Sequence, residues 1–381
     1  MDPTMNKAKV LGAIAPLKSA DASAAFFGTR SNAGRSLPPY YLVYFLLVKL
    51  LGFINLGRSE KVAWTIPVEI NGTVLMVEYR KLGLGIFIKD AADEAAAAEA
   101  TRRICAGVKA AEPYFASLAE AAAKGSALNV HNNAGELFDR LMYFCERYSE
   151  KSLQAEGKTY ESNENEVSQD GNFAERLVRF SKKSQYRQEA RWYAVAAIEA
   201  FYSWTEHVFI LTAILQGRIA TGEDVAQVAG KDWKDKFKIA LDIKNKKTKD
   251  FYDRLLKLRT QVRNFVAHGA FGKNGEALSF HTETGAVPLL LPQTQQTNQF
   301  LFGNGVDFVA PDSIQLIHEF IAHLWTGDLS PAKIYVESSL PVILSKVTDG
   351  QYAAAMQSDE AMIEYVEYLT HVFDEAADMN W

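Results

Sequence analysis

The sequence predicts a mainly α-helical protein: a helical bundle with an inserted β-hairpin, preceded by an α+β domain that carries a small antiparallel sheet. Three observations point there. From about residue 188 onward, apolar residues recur at spacings of three and four, the mark of helices that bury a face. Between residues 62 and 88 the pattern shifts to short β-rich runs around Asn71-Gly72. That dipeptide is the strongest short hairpin signal, because both turn positions need positive φ. Between residues 270 and 308 the helical rhythm breaks again, with strand-like runs at 277–281 and 287–291 and Gly285 between them.

At 381 residues the chain is long enough for two or three domains and a large core. Apolar content of 48% and aromatic content of 12% belong to a globular protein rather than a disordered one. The expected division is an N-terminal α+β domain of unassigned role over 1–150, a polar linker over 151–185, a helical bundle over 186–329 and a C-terminal helical extension over 330–381. Two cysteines, Cys105 and Cys145, are too few for a disulfide framework and lack metal-ligand spacing. They suit a reducing cytosol as small buried hydrophobes. No signal peptide opens the chain, so a cytoplasmic location is expected.

Residues 1–37 read as an extended arm with one short helix. The run 40–54, YYLVYFLLVKLLGFI, is the most apolar in the chain. It falls short of the ~20 residues a membrane span needs and contains Lys49, so it reads as a buried helix, with a subunit-interface helix as the second choice and no membrane contact. Strands are expected at 62–70, 73–78 and 82–88. Gly83-Leu84-Gly85 has no third glycine in register and is not a dinucleotide fingerprint. Helices follow at 91–109, from Pro113 to Lys124, and over 128–148. The stretch 150–172 is polar and carries Gly157 and Gly171, the composition of a boundary loop.

The helix expected over 188–215 is apolar on more than one side, which buries it in a bundle or against a second subunit. Glu199, Ser203 and Glu206 form a polar stripe on it at i, i+4 and i+7. Short helices are expected at 223–228 and 232–243, and a closing helix over 312–325 between Pro311 and Gly327. His318 and His323 imitate a zinc-protease motif but stand five apart, about 140° around the helix, where the zinc motif needs i and i+4. No metal site and no cofactor is expected. Two or three further helices fill 330–381, acidic from Asp359 to Asp378.

The chemistry concentrates in residues 249–269, KDFYDRLLKLRTQVRNFVAHG, an amphipathic helix with Gly269 at the C-terminal cap position. Asn264 and His268 stand four apart and project from one side. Arg263 lies about 140° from His268, a gap its long side chain can sweep. Arginine binds phosphate in two-pronged fashion, and histidine moves protons near neutrality. A phosphate clamp beside a proton shuttle is a minimal kit for cleaving a phosphodiester without metal. On spacing alone, Arg263 also reads as a surface charge and His268 as a helix cap.

The formal net charge is −5, yet residues 231–263 hold 12 Lys/Arg against 5 Asp/Glu, a local +7 that leaves −12 for the rest. A basic belt running into Arg263 would draw a phosphate backbone, and Lys257 and Arg259 are the expected substrate contacts. A solvated lysine-rich face is the alternative. His281, on the hairpin beside the site, is a second candidate histidine.

The run RNFVAHG, residues 263–269, resembles the R-x-x-x-x-H signature of the HEPN superfamily, with the usual polar residue, Asn264, after the arginine. The resemblance covers roughly residues 188–327. It implies an all-α bundle and, in many members, a metal-independent ribonuclease of phage-defence or toxin-like systems. It implies a homodimer in which two such groups share one cleft. Arg263, Asn264 and His268 would be catalytic, with Glu206 first and Glu199 second as acidic supports from the early helix. RNA would be the substrate, and an antitoxin or activating partner would control activity. The alternative is a non-catalytic HEPN module for dimerisation or ligand binding, serving as sensor or scaffold.

Overall fold

The computed structural model describes residues 3–157, 173–268, 278–283, 285–290, 301–302 and 309–378, with side chains at these positions except 3–6, 173–179, 263–268, 288, 290, 301 and 376–378. The described chain is mainly helical, with a five-stranded antiparallel sheet near its N-terminus. It divides into two compact units, residues 1–125 with 371–381, and residues 126–370.

In the first unit, helix α1 (Pro3–Ile14) precedes two short edge strands, β1 (Lys18–Ser19) and β2 (Thr29–Arg30). The apolar run forms α2 (Tyr40–Tyr44) and continues as a π-helical turn over Phe45–Leu50. It buries Val43, Leu46 and Leu47 completely, which explains its hydrophobicity without a membrane. Strands β3 (Val62–Ile70), β4 (Thr73–Arg80) and β5 (Gly83–Ile88) pair antiparallel, and the sheet order is β1-β3-β4-β5-β2. The two edge strands are additions that their two-residue length hid from sequence patterning. Helices α3 (Glu94–Ala110) and α4 (Glu112–Lys124) complete the unit. Ile66, Val68, Ile70, Leu75, Val77 and Ile86 point from one sheet face into a core shared with Ala97, Ala100 and Ile104 of α3. Gly107 lets α1 lie close to α3, since a Cβ there would overlap Ile14 and Leu46.

The β3–β4 turn holds Asn71 at φ 50° and Gly72 at φ 84°. Gly72→Ala puts a Cβ into left-handed backbone and is expected to cost about 1 kcal/mol, read as a lower denaturant midpoint.

The second unit begins with β6 (Asn129–Val130) and helix α5 (Ala134–Glu156). Helix α6 (Phe173–Leu215) runs 43 residues and packs along α5. Its buried Phe201, Tyr202, Trp204, Val208, Phe209 and Leu211 span about half of the helix circumference, while Glu199 and Ser203 on the opposite side stay exposed. Trp192, by contrast, is exposed. Short helices α7 (Gly222–Ala229) and α8 (Trp233–Ala240) lead into α9 (Lys246–His268). Strands β7 (Leu278–Thr282) and β8 (Gly285–Leu290) form the expected hairpin, with a short third strand β9 (Leu301–Phe302) beside it. The Gln/Asn-rich tip at 293–299 lies outside the described residues.

Helices α10 (Ala310–Leu324) and α11 (Ser330–Glu337) follow, then β10 (Val342–Ile343), α12 (Ser345–Thr348), α13 (Gln351–Ala355) and α14 (Asp359–Asp378). Strand β10 pairs with β6. Two expected divisions differ from this arrangement. The boundary placed within 151–185 falls instead at Gly125/Ser126, because α5 buries Leu141 and Cys145 in the same core as α6. A 2.8 Å ion pair between Lys151 and Glu189 also ties α5 to α6; residues 158–172 of the expected linker lie outside the described residues. The segment 330–370 is no appendage either, since Tyr335, Tyr352, Met362 and Leu369 belong to that core. Burial raises the Cys145 thiol to about 11, as befits a small core hydrophobe. No helix among the described residues is long and apolar enough to cross a membrane.

Candidate nucleic-acid interface and its supporting triad

Helix α9 is continuous to His268, so the backbone carries Arg263, Asn264 and His268 in its last two turns. The side chains of these three lie outside the described residues. What the structure does describe is how the preceding turns are held.

Apolar Phe251, Leu255, Leu258 and Val262 recur at helical spacing and are buried, which fixes the rotation of α9 against the bundle. The Tyr202 hydroxyl of α6 donates to the Leu255 carbonyl at 2.7 Å. Burial pushes that phenol well above its ordinary range, so it stays a donor. Trp233 of α8 donates its indole N–H to Thr205 Oγ1 at 2.9 Å, and Thr205 passes its own proton back to the Phe201 carbonyl. One turn along α6 from Tyr202 stands Glu206, whose carboxylate receives two cations. Lys236 Nζ donates to Oε2 at 2.7 Å and Arg259 Nη2 to Oε1 at 3.0 Å. The Arg259 guanidinium also lies over the rings of Tyr202 and Trp233, 5.5 and 5.9 Å from their centroids. Glu206, Lys236 and Arg259 thus bolt α6, α8 and α9 together one turn before Arg263.

This placement revises part of the expected site. Glu206 does approach α9, but its bonds go to Arg259 rather than to free solvent. Glu199, two turns away on α6, is exposed and stands apart from the triad. Arg259, expected as a substrate contact, is bound to Glu206 and lies over two aromatic rings, with its side chain 32% exposed. Lys257 is exposed on the other side of the helix. Lys236 was hidden within the basic belt, yet its side chain is only 6% exposed. The available signal was its spacing, since it shares a helix face with Trp233, Phe237 and Ala240.

The rest of the belt sorts by partner. Lys234, Lys249 and Arg254 pair with Asp232, Asp253 and Asp250. Lys231, Lys238, Lys244, Lys246, Lys247 and Lys257 are exposed, with no carboxylate partner among the described residues. His318 is exposed, whereas His323 stacks on Phe251 with centroids 5.0 Å apart and meets Thr248 Oγ1 at 3.0 Å. The two imidazoles therefore do not face a common ligand. His281, on β7, is also exposed.

His207, unassigned from sequence, has a defined task. Its Nε2 accepts the Asn133 N–H at 3.0 Å, satisfying a backbone donor at the start of α5. Burial lowers its pKa, so the neutral acceptor form is favoured. A folded pKa below the unfolded value of ~6.5 gives stability fully present above that pH and lost as pH falls through the folded value. His207→Gln keeps an acceptor and cannot take the proton. Its stability between pH 7.5 and 5.5, read by guanidinium unfolding, is expected to fall less steeply than wild type; identical slopes would remove His207 from this role.

Fold and site together define a mainly helical protein whose R-x-x-x-x-H helix is braced one turn earlier by a half-buried carboxylate–lysine–arginine triad. Comparison with protein-family models, with curated proteins and with solved structures finds no match to this chain.

Proposed function

We propose that the chain is a metal-independent RNA endonuclease of the HEPN type, acting as a homodimer in phage defence or a toxin-like stress response. The observation that carries this reading is the bracing of α9 by Arg259, Glu206 and Lys236 directly before the R-x-x-x-x-H turns, in a basic belt that leaves six lysines exposed without carboxylate partners among the described residues. A rigid helix end is what a phosphate clamp requires, because transition-state stabilisation depends on groups already in place. In this mechanism the RNA 2′-hydroxyl attacks the adjacent phosphorus. The new O2′–P bond forms as the P–O5′ bond breaks, leaving a 2′,3′-cyclic phosphate and a 5′-hydroxyl. His268 transfers the proton, Arg263 holds the phosphate and offsets its growing charge, and Asn264 orients one or the other. An antitoxin or activating partner would set when the enzyme works.

The lysine face has its own test. Single-stranded RNA binding should weaken linearly on a log–log plot against salt, with a slope of about −0.7 per phosphate neutralised. Replacing Lys246 and Lys247 with glutamine is expected to flatten that slope by about 1.4. An unchanged slope would take this face out of the interface. A second reading, a ligand-binding HEPN-like module without catalysis, is favoured by the cavity described below. RNA cleavage that resists EDTA and vanishes in both Arg263→Ala and His268→Ala would exclude it; absence of cleavage by purified dimer and by protein expressed in a bacterium would favour it.

A further inference from the structure

On the side of α6 away from the triad, the second unit holds a cavity of about 610 Å³. Trp204 lines it and Glu206 does not; two positions on a helix turn a side chain by about 200°. Helices α5, α6, α10 and α11 form its walls. The accessible inner surface is aromatic, from half-buried Phe138 and Trp325, with Trp204 and Val336, each 2% exposed, packed behind it. The Phe138 and Trp204 centroids are 5.2 Å apart, and Trp204 meets Trp325 edge-on at 6.4 Å. Trp204 thereby holds Phe138 and Trp325 in place. Its volume is of the size that encloses a small organic molecule.

Charge at the rim selects the ligand. Three ionisable groups line the cavity, Asp139, Lys333 and Glu337. Lys333 pairs loosely with Glu337 at 3.7 Å, which leaves the pair neutral. Asp139 is exposed and has no hydrogen bond or ion pair among the described residues. The rim therefore carries a net −1 above an aromatic surface. Aromatic faces attract cations through their quadrupole, and an unmatched carboxylate adds to that attraction. An anionic ligand, a nucleotide included, would find one already-paired lysine and an opposing carboxylate.

We propose that this cavity is a binding site for a small organic cation with an apolar or aromatic body, its charge at Asp139 and its body against Trp325 and Phe138, which Trp204 backs. The site does not depend on the nuclease reading, since it shares no residue with the triad or with the R-x-x-x-x-H turns. The probe is benzyltrimethylammonium, whose charge is fixed at every pH, titrated into the full-length protein by calorimetry. Phenylacetate, similar in size and opposite in charge, is the comparison. Benzyltrimethylammonium is expected to bind with a dissociation constant on the order of 1 mM or tighter, and phenylacetate at least about tenfold more weakly. Asp139 is exposed, so Asp139→Asn folds as wild type does, and it should weaken the cation about fivefold, given one partly solvated charge pair. Trp325→Phe keeps an aromatic wall and should weaken the cation less than Asp139→Asn. No heat from the cation, equal affinity for phenylacetate, or an unchanged affinity in Asp139→Asn would overturn the site. Preference for acetyl-arginine amide over benzyltrimethylammonium would overturn the small-molecule assignment in favour of a partner's side chain.

Discussion

Arg263→Ala and His268→Ala are each expected to lower EDTA-resistant RNA cleavage by about 10²- to 10⁴-fold, the scale of losing one general acid–base group or one preorganised charge donor. Both positions lie in the last two turns of α9, and alanine is the strongest helix former, so neither change should unfold the helix. The double variant should be no worse than the poorer single one by more than a few-fold, because groups that act as a unit lose most of their effect together. The products are the second readout: a 2′,3′-cyclic phosphate end follows from 2′-hydroxyl attack, whereas a 3′-hydroxyl end requires a different nucleophile. Cleavage that survives both substitutions, or that leaves a 3′-hydroxyl, would sink the proposed mechanism. A third control is Lys257→Ala. It removes one exposed charge and should change affinity modestly with the turnover rate unaltered.

The largest expected loss of stability comes from Glu206→Ala. That change strips the acceptor from Lys236, whose side chain is 6% exposed, and from Arg259, which is 32% exposed. Leaving a buried charge unmatched typically costs about 3–5 kcal/mol. The lower figure applies here, because Glu206 at 30% and Arg259 at 32% exposure remain partly solvated. Lys236→Met in the same background should recover most of that loss. A methionine fits among Trp233, Phe237 and Ala240 and brings no charge to compensate. The guanidinium midpoints of wild type, single and double variants measure the cycle. If Glu206→Ala costs under about 0.5 kcal/mol, the triad is not what braces α9.

The same triad shows why the sequence was legible in some places and opaque in others. The β3–β4 hairpin was readable because Asn71-Gly72 fixes the turn through local backbone sterics alone. Helix α9 was readable because Phe251, Leu255, Leu258 and Val262 mark its buried face by period. Helix α6 gave a clear core but not its start at Phe173, since the polar residues there hide a helix among loop-like composition. Lys236 and Lys257 look alike in sequence, two lysines in one basic belt. One is buried against Glu206 and the other is exposed, and the difference lies in a partner 30 positions away from Lys236. The cavity was invisible for the same reason: Phe138 and Trp204 come from α5 and α6 and Trp325 follows α10, and each reads separately as a core residue.

The sequence by itself determined the helical class, the N-terminal antiparallel sheet, the hairpin after α9 and the Arg263–His268 spacing, because periodicity and turn sterics act between near neighbours. Only the tertiary structure decided that α5 belongs with α6 rather than with the sheet, that Arg259 meets Glu206 across two helices, and that aromatic rings line a cavity beside an unmatched carboxylate. Those outcomes depend on which groups meet across helices, where burial and charge pairing are set by distance in space and not along the chain.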